Sequence, residues 1–211
     1  MKQMMFWAGA GRVVLLSMLL CLPLPLMAAA QPPQELVIET TDRIIKALQA
    51  EQAEIKKNPA RLYEIVDEIV LPHFDFRRMS SWVLGKHWRK ASPAEREQFV
   101  KEFRALLVRT YAAALNDNYD QEIDFLPLRT KKEATEVTVR TEVQLDAGFP
   151  IPINYRMYRT EEGEWLVFDV NIDSVSLVTN YRSSFSKEIR QGGLPKLIAR
   201  LSARNQRVTR D

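Results

Sequence analysis

The feature that most constrains this chain is a change of period in its apolar residues. Between Glu136 and Ile172 they fall at every second position, whereas on both flanks they recur every third or fourth. Val137, Val139, Thr141, Val143 and Leu145 alternate with Glu136, Thr138, Arg140, Glu142 and Gln144, which predicts a half-buried strand. Asp146-Ala147-Gly148 supplies a turn, and Ile151, Ile153, Tyr155 and Met157 alternate again. A second turn, Glu161-Glu162-Gly163, leads into Leu166, Phe168, Val170 and Ile172, and a weaker strand, Ile123 to Leu126, precedes them all. Strands this close together pair as antiparallel hairpins, because a parallel pair needs a crossover of about a dozen residues or more.

The flanks are helical. From Glu35 to Lys57, Val37, Ile44, Ile45, Leu48 and Ile55 mark one face of an amphipathic helix. Asn58-Pro59 opens a second, with Leu62, Ile65, Val66 and Ile69 on one face and Pro72 as its stop. A short helix is expected from about Asp75 to Gly85. Ser92-Pro93-Ala94-Glu95 is a capping box, and it starts a helix to about Asn116 with the stripe Phe99, Phe103, Leu106, Leu107, Tyr111 and Leu115. After the strands come Leu177, Tyr181, Phe185 and Ile189, a stop at Gly192-Gly193, and a last short helix with Leu194, Leu197, Ile198 and Leu201. Helices, then strands, then helices predict an α+β fold with an antiparallel four-stranded sheet. No repeat or linker divides residues 31–211, which read as a single domain. The Arg200, Arg204, Arg207 and Arg210 tail reads as a solvated end.

The first thirty residues read as something other than structure. They carry Lys2 and Arg12 but no acid, then an apolar run from Val13 to Leu22, then Pro23, Pro25 and Ala28-Ala29-Ala30. A positive start, a short apolar core and a small-residue exit predict a cleavable signal peptide over residues 1–30, with the cut before Gln31. A membrane anchor would need about 20 apolar residues, and two prolines interrupt this run. Without the leader the 30 basic side chains become 28 against 27 acidic, so the basic balance of the whole chain does not indicate a nucleic-acid binder. The single cysteine, Cys21, leaves with the leader, which removes disulfides, thiolate metal sites and cysteine nucleophiles. The five remaining glycines build neither GxGxxG nor GxxxxGK[ST].

Catalytic motifs are equally scarce. There is no GxSxG, SxxK or HExxH, and His73 and His87 stand fourteen residues apart without clustered carboxylates, so neither a catalytic group nor a metal set is assigned. His73 and Asp169 are the acid–base candidates if the protein is an enzyme. The resource that remains is apolar surface, and periodicity alone does not separate a filled core from a pocket between sheet and helices. Arg77, Arg78, Lys86, Arg89 and Lys90 flank Trp82 and Trp88, which reads either as a solvated helix side or as a positive docking patch.

Several segments together resemble the MlaC family of periplasmic phospholipid-binding proteins, also called the toluene-tolerance auxiliary component. They are Asn58-Pro59, Leu71-Pro72-His73-Phe74-Asp75-Phe76, Val83-Leu84-Gly85-Lys86-His87-Trp88, residues 91–103, Tyr111-Ala112-Ala113-Ala114-Leu115, residues 165–169 and residues 176–182. One departure is visible: Ser174 precedes Val175-Ser176 where the family commonly has glycine. The resemblance implies a twisted antiparallel sheet wrapped by helices, NTF2-like, with acyl chains buried in an apolar pocket between them. It also implies a soluble periplasmic carrier that moves phospholipid between an outer-membrane lipoprotein complex and an inner-membrane ABC transporter complex with its lipid-binding subunit, maintaining outer-membrane lipid asymmetry. Such a carrier needs no cofactor, since the phospholipid is cargo.

With that implication, alternation and helical spacing nominate Val139, Val143, Ile153, Tyr155, Phe168 and Ile172 on the sheet as the tail-binding wall, with Phe103, Leu107 and Tyr111 opposite. Arg77, Lys86 and Arg89 are the candidates for head-group or partner docking. The competing readings are an NTF2-like enzyme acting on an apolar substrate, and a periplasmic interaction module without ligand.

Overall fold

The computed structural model describes residues 31–130, 133–146 and 148–207. The expected leader lies outside the described residues, as do Ala147 of the expected turn and Arg210 of the tail. Helix α1 spans Pro33–Lys57, with Glu35 in its first turn and Lys56 and Lys57 in its last, as the helix dipole favours. Asn58 and Pro59 break the chain before α2, Ala60–Ile69. A single 3-10 turn, Leu71–His73, then leads through an extended Phe74 to α3, Phe76–Leu84. Asp75 caps α3 by accepting a hydrogen bond from the Arg78 backbone N–H at 2.8 Å.

Gly85 stands at φ 54°, a conformation open to glycine, and its turn separates α3 from a one-turn helix α4, Lys86–Lys90. Helix α5 runs Pro93–Asp117 from the expected capping box. The Ser92 Oγ accepts from the Glu95 N–H at 3.2 Å, and the Glu95 carboxylate accepts from the Ser92 N–H at 2.8 Å. Helix α6, Leu177–Arg207, is two helical segments joined at a kink, as expected: Gly193, at φ 78° and ψ 167°, is non-helical and ends the first, and Pro195 lies in the first turn of the second.

The strands are β1 (Ile123–Phe125), β2 (Glu136–Val143), β3 (Ile151–Arg159), β4 (Trp165–Ile172) and β5 (Val175–Ser176). They form an antiparallel meander in the order β1-β2-β3-β4-β5, so the sheet has five strands and not four. The fifth is only two residues long and closes a tight turn on β4, with Ile172 opposite Val175. The two turn residues, Asp173 at φ 47° and Ser174 at φ 67°, are both left-handed, as a type I′ hairpin requires. Ser174, where the resemblance leads to the expectation of glycine, thus holds a left-handed conformation that glycine adopts more readily.

The register of β3 on β4 slips between Arg156 and Met157. Tyr155 faces Val170 and Arg156 faces Asp169, but Met157 faces Val167, which leaves Phe168 as an extra, bulged residue. Helices α1, α2 and α5 cover one face of the sheet. Where α5 meets α6, Phe99, Phe103, Tyr181 and Phe185 interlock, with Phe103 and Tyr181 ring centroids 5.4 Å apart.

Candidate functional site

The sheet and the helices covering it do not close completely on one another. Between them lies a partly open cavity of about 480 Å³, walled almost entirely by apolar side chains. Strand parity supplies one wall: Thr141 and Val143 from β2, Ile151, Ile153, Tyr155 and Met157 from β3, and Val167, Val170 and Ile172 from β4. Helix α5 supplies Leu107, Val108, Tyr111, Ala112 and Leu115 from successive turns, and α1 supplies Val37, Thr40, Thr41, Ile44 and Ile45. Leu71, Phe74, Phe76 and Met79 close the end nearest α3, and Asn118, Tyr119, Ile123 and Leu145 lie at the far end of the strands.

The few polar groups on this wall are largely occupied or weakly basic. Thr141 donates its hydroxyl to the Ile153 carbonyl at 2.8 Å. Burial, reinforced by Arg43, holds the His73 imidazole below its usual pKa, which favours the neutral form. Burial pushes the Tyr111 hydroxyl up to about 12, with Tyr181 contributing, and it raises Tyr155 as well, so both phenols stay neutral. An apolar space of this size has nothing to hold ordered water, and apolar atoms of a ligand would restore the dispersion contacts its walls lack.

Six of the nine residues nominated for the wall are on it: Leu107, Tyr111, Val143, Ile153, Tyr155 and Ile172. Three are not. Phe103 is fully buried one turn before Leu107, inside the aromatic cluster between α5 and α6. Val139 is fully buried in the packed core rather than at the open space. Phe168 is turned by the β4 bulge to the other face of the sheet, where it packs on Trp82 with ring centroids 5.0 Å apart. The α1 wall was not nominated, although Leu36-Val37-Ile38 and Ile44-Ile45 make its apolar stripe wider than one packed seam needs.

The acid–base candidates stand apart. His73 is on the cavity wall, whereas the Asp169 carboxylate accepts from Ser176 Oγ at 2.7 Å and from the Val178 N–H at 3.2 Å, capping the start of α6. Arg77 and Arg89 are exposed around α4, with Arg77 over the Trp88 ring at 5.6 Å, and Lys86 is also exposed. None of these three lies on the cavity wall. Among the described residues, no three His, Cys, Asp or Glu side chains are grouped to hold a metal ion, and no helix is long and apolar enough to cross a membrane.

The sequence pattern of the MlaC protein family matches residues 38–203, which include most of both walls of the cavity. The chain belongs to the MlaC family. Two curated relatives are of similar length. The "Intermembrane phospholipid transport system binding protein MlaC" of Haemophilus influenzae is 26% identical over 175 residues, 82% of this chain and 82% of that one. The "Toluene tolerance protein ttg2D" of Pseudomonas putida is 28% identical over 180 residues, 85% and 82% of the two chains. Among solved structures, a phospholipid-binding protein from Ralstonia solanacearum, in complex with a phospholipid, superposes with a TM-score of 0.77 at 29% identity. That match covers 84% of this chain and 98% of the other.

Proposed function

We propose that this MlaC-family protein binds a phospholipid, with the acyl chains in the cavity between the sheet and helices α1 and α5. The observation that carries the reading is the cavity itself: a large space with apolar walls on both sides, inside a chain whose α5–α6 core is otherwise tightly packed. The phospholipid bound by the Ralstonia relative and the phospholipid-transport name of the Haemophilus relative support it.

The physics favours a carrier. Each methylene exposed to water costs about 0.8 kcal/mol, so a lipid with two long chains leaves a bilayer very slowly unaided. A protein that shields the tails and leaves the charged head in water removes most of that barrier. In this reading the protein acts in the periplasm after export, exchanges lipid with an outer-membrane lipoprotein complex and with an inner-membrane ABC transporter complex, and makes or breaks no bond itself.

Mass spectrometry of an organic extract of the purified protein tests the proposal. Stoichiometric intact phospholipid is the expected result. A folded protein that carries none, and takes none from phospholipid vesicles, overturns it in favour of an interaction module. Conversion of the added lipid to lysolipid or fatty acid would favour an enzyme.

A further inference from the structure

The sheet has a second face, and it is chemically opposite to the first. Parity turns Thr138, Arg140 and Arg156 away from the apolar cavity, and the bulge adds Phe168 to that side. With Arg129 these residues surround a separate, polar cavity of about 370 Å³. The arginines differ in how they are held. The Arg156 guanidinium lies 4.7 Å from the Phe168 ring centroid and 5.7 Å from that of Trp82, with Nη1 3.5 Å from Asp169. Arg140 donates to the Pro127 carbonyl at 3.1 Å, and among the described residues neither Arg140 nor Arg129 has a carboxylate partner. The acid on this wall, Glu136, is engaged from outside by Arg78 at 2.8 Å. Three guanidiniums around one neutralised carboxylate make a positive pocket, and among the described residues two of them have no carboxylate partner.

We propose that this face docks an acidic segment of a protein partner, with Asp or Glu carboxylates entering between Arg129, Arg140 and Arg156. Guanidinium forks match carboxylates two bonds at a time, and the stacking on Phe168 fixes one fork in advance. Trp82, packed on Phe168 yet 36% exposed, offers the partner an apolar anchor next to the charges. Arginine and tryptophan in one patch are the composition of a protein-binding hot spot. A lipid whose tails fill the apolar cavity is on the other side of the sheet from these arginines, and the arginine site stands on its own geometry whatever that cavity contains.

The test is a titration of the isotope-labelled protein with hexaglutamate, read at the arginine Nε–H resonances. Parallel arms use inorganic phosphate, vesicles of anionic phospholipid, and an Arg89→Glu control on the exposed α4. Saturable shifts at Arg129, Arg140 and Arg156 are expected, weakening as salt is raised. Arg129→Glu and Arg140→Glu should each lower the affinity about tenfold or more while Arg89→Glu leaves it unchanged. Circular dichroism and lipid content should be native in all three variants, which separates this proposal from the lipid reading. No shift at these arginines, or an equal loss in Arg89→Glu, overturns the site. Equal saturation by phosphate, or binding to the vesicles through these residues, overturns the assignment to a protein partner.

Discussion

Met157 lies opposite Val167 on β4, one residue short of the Phe168 that strict alternation would place there. This slip sends Phe168 through the sheet to the arginine face and brings Val167 to the cavity. The two faces of the sheet therefore have separable roles. Phe168→Ala removes a fully buried ring and should cost about 3–5 kcal/mol in urea denaturation, with lipid content per folded molecule unchanged. Ile153→Trp places extra volume in an open space, so it should leave the circular dichroism native while bound phospholipid falls severalfold. Full lipid content in the folded Ile153→Trp protein would remove the cavity from the binding reading.

The β4–β5 turn gives a second expectation. Ser174 holds φ 67° with a Cβ that this conformation penalises by about 1–2 kcal/mol. Ser174→Val should lower stability by about that amount, since a β-branched residue is least tolerant of a left-handed backbone. Ser174→Gly should be neutral or raise stability by up to about 1 kcal/mol, the relief being offset in part by a freer unfolded chain. Urea midpoints of the three proteins measure both effects, and equal midpoints for serine and valine would show that the turn is not strained.

Local signals in the sequence carried much of this architecture. The capping box at Ser92 and Glu95, the alternation of β2 and β3, and the proline and glycine stops each specify local structure, and each is where it was expected. What stayed hidden depends on pairing between distant segments. A two-residue β5 has no period to read. The bulge at Phe168 is visible only once β3 lies beside β4, and it alone decides which β4 residues see the cavity. Val139 and Thr141 share a sheet face and are both buried, yet only Thr141 borders the cavity, so no alternation pattern assigns Thr141 to the wall and Val139 to the core. The α1 wall was written in its wide apolar stripe, but its placement across the sheet is set by tertiary packing.

His73 gives a pH dependence of defined sign. Its folded-state pKa is depressed by burial and by Arg43, with Glu164 acting the other way. As pH falls through about 6.5 the unfolded chain takes up the proton first, so it binds more protons than the folded chain and stability declines toward acid. His87, depressed by burial and by Lys86, Lys90 and Arg190, adds to the same slope. Glu51 and Glu95, lowered by their hydrogen bonds to Arg61 and Ser92, act in the same direction but only near and below their ordinary range of about 4.3. Urea midpoints should fall between about pH 7.5 and about pH 5, and His73→Gln should flatten that fall. An unchanged slope in His73→Gln would assign the effect elsewhere.

Asp169 separates a structural carboxylate from a chemical one. Its two oxygens accept from Ser176 Oγ and the Val178 N–H at the head of α6, where a negative charge also favours the helix dipole, and Arg156 stands 3.5 Å away. Asp169→Ala leaves the Val178 N–H without its acceptor and the Arg156 guanidinium without its acid, and should cost about 2 kcal/mol or more. Asp169→Asn keeps the shape and one acceptor oxygen, so it should cost less. Both proteins should retain bound phospholipid in their folded fraction, because the carboxylate faces away from the cavity. If either variant instead kept full stability but altered the lipid it carried, Asp169 would belong to the chemistry of the site and not to the capping of α6.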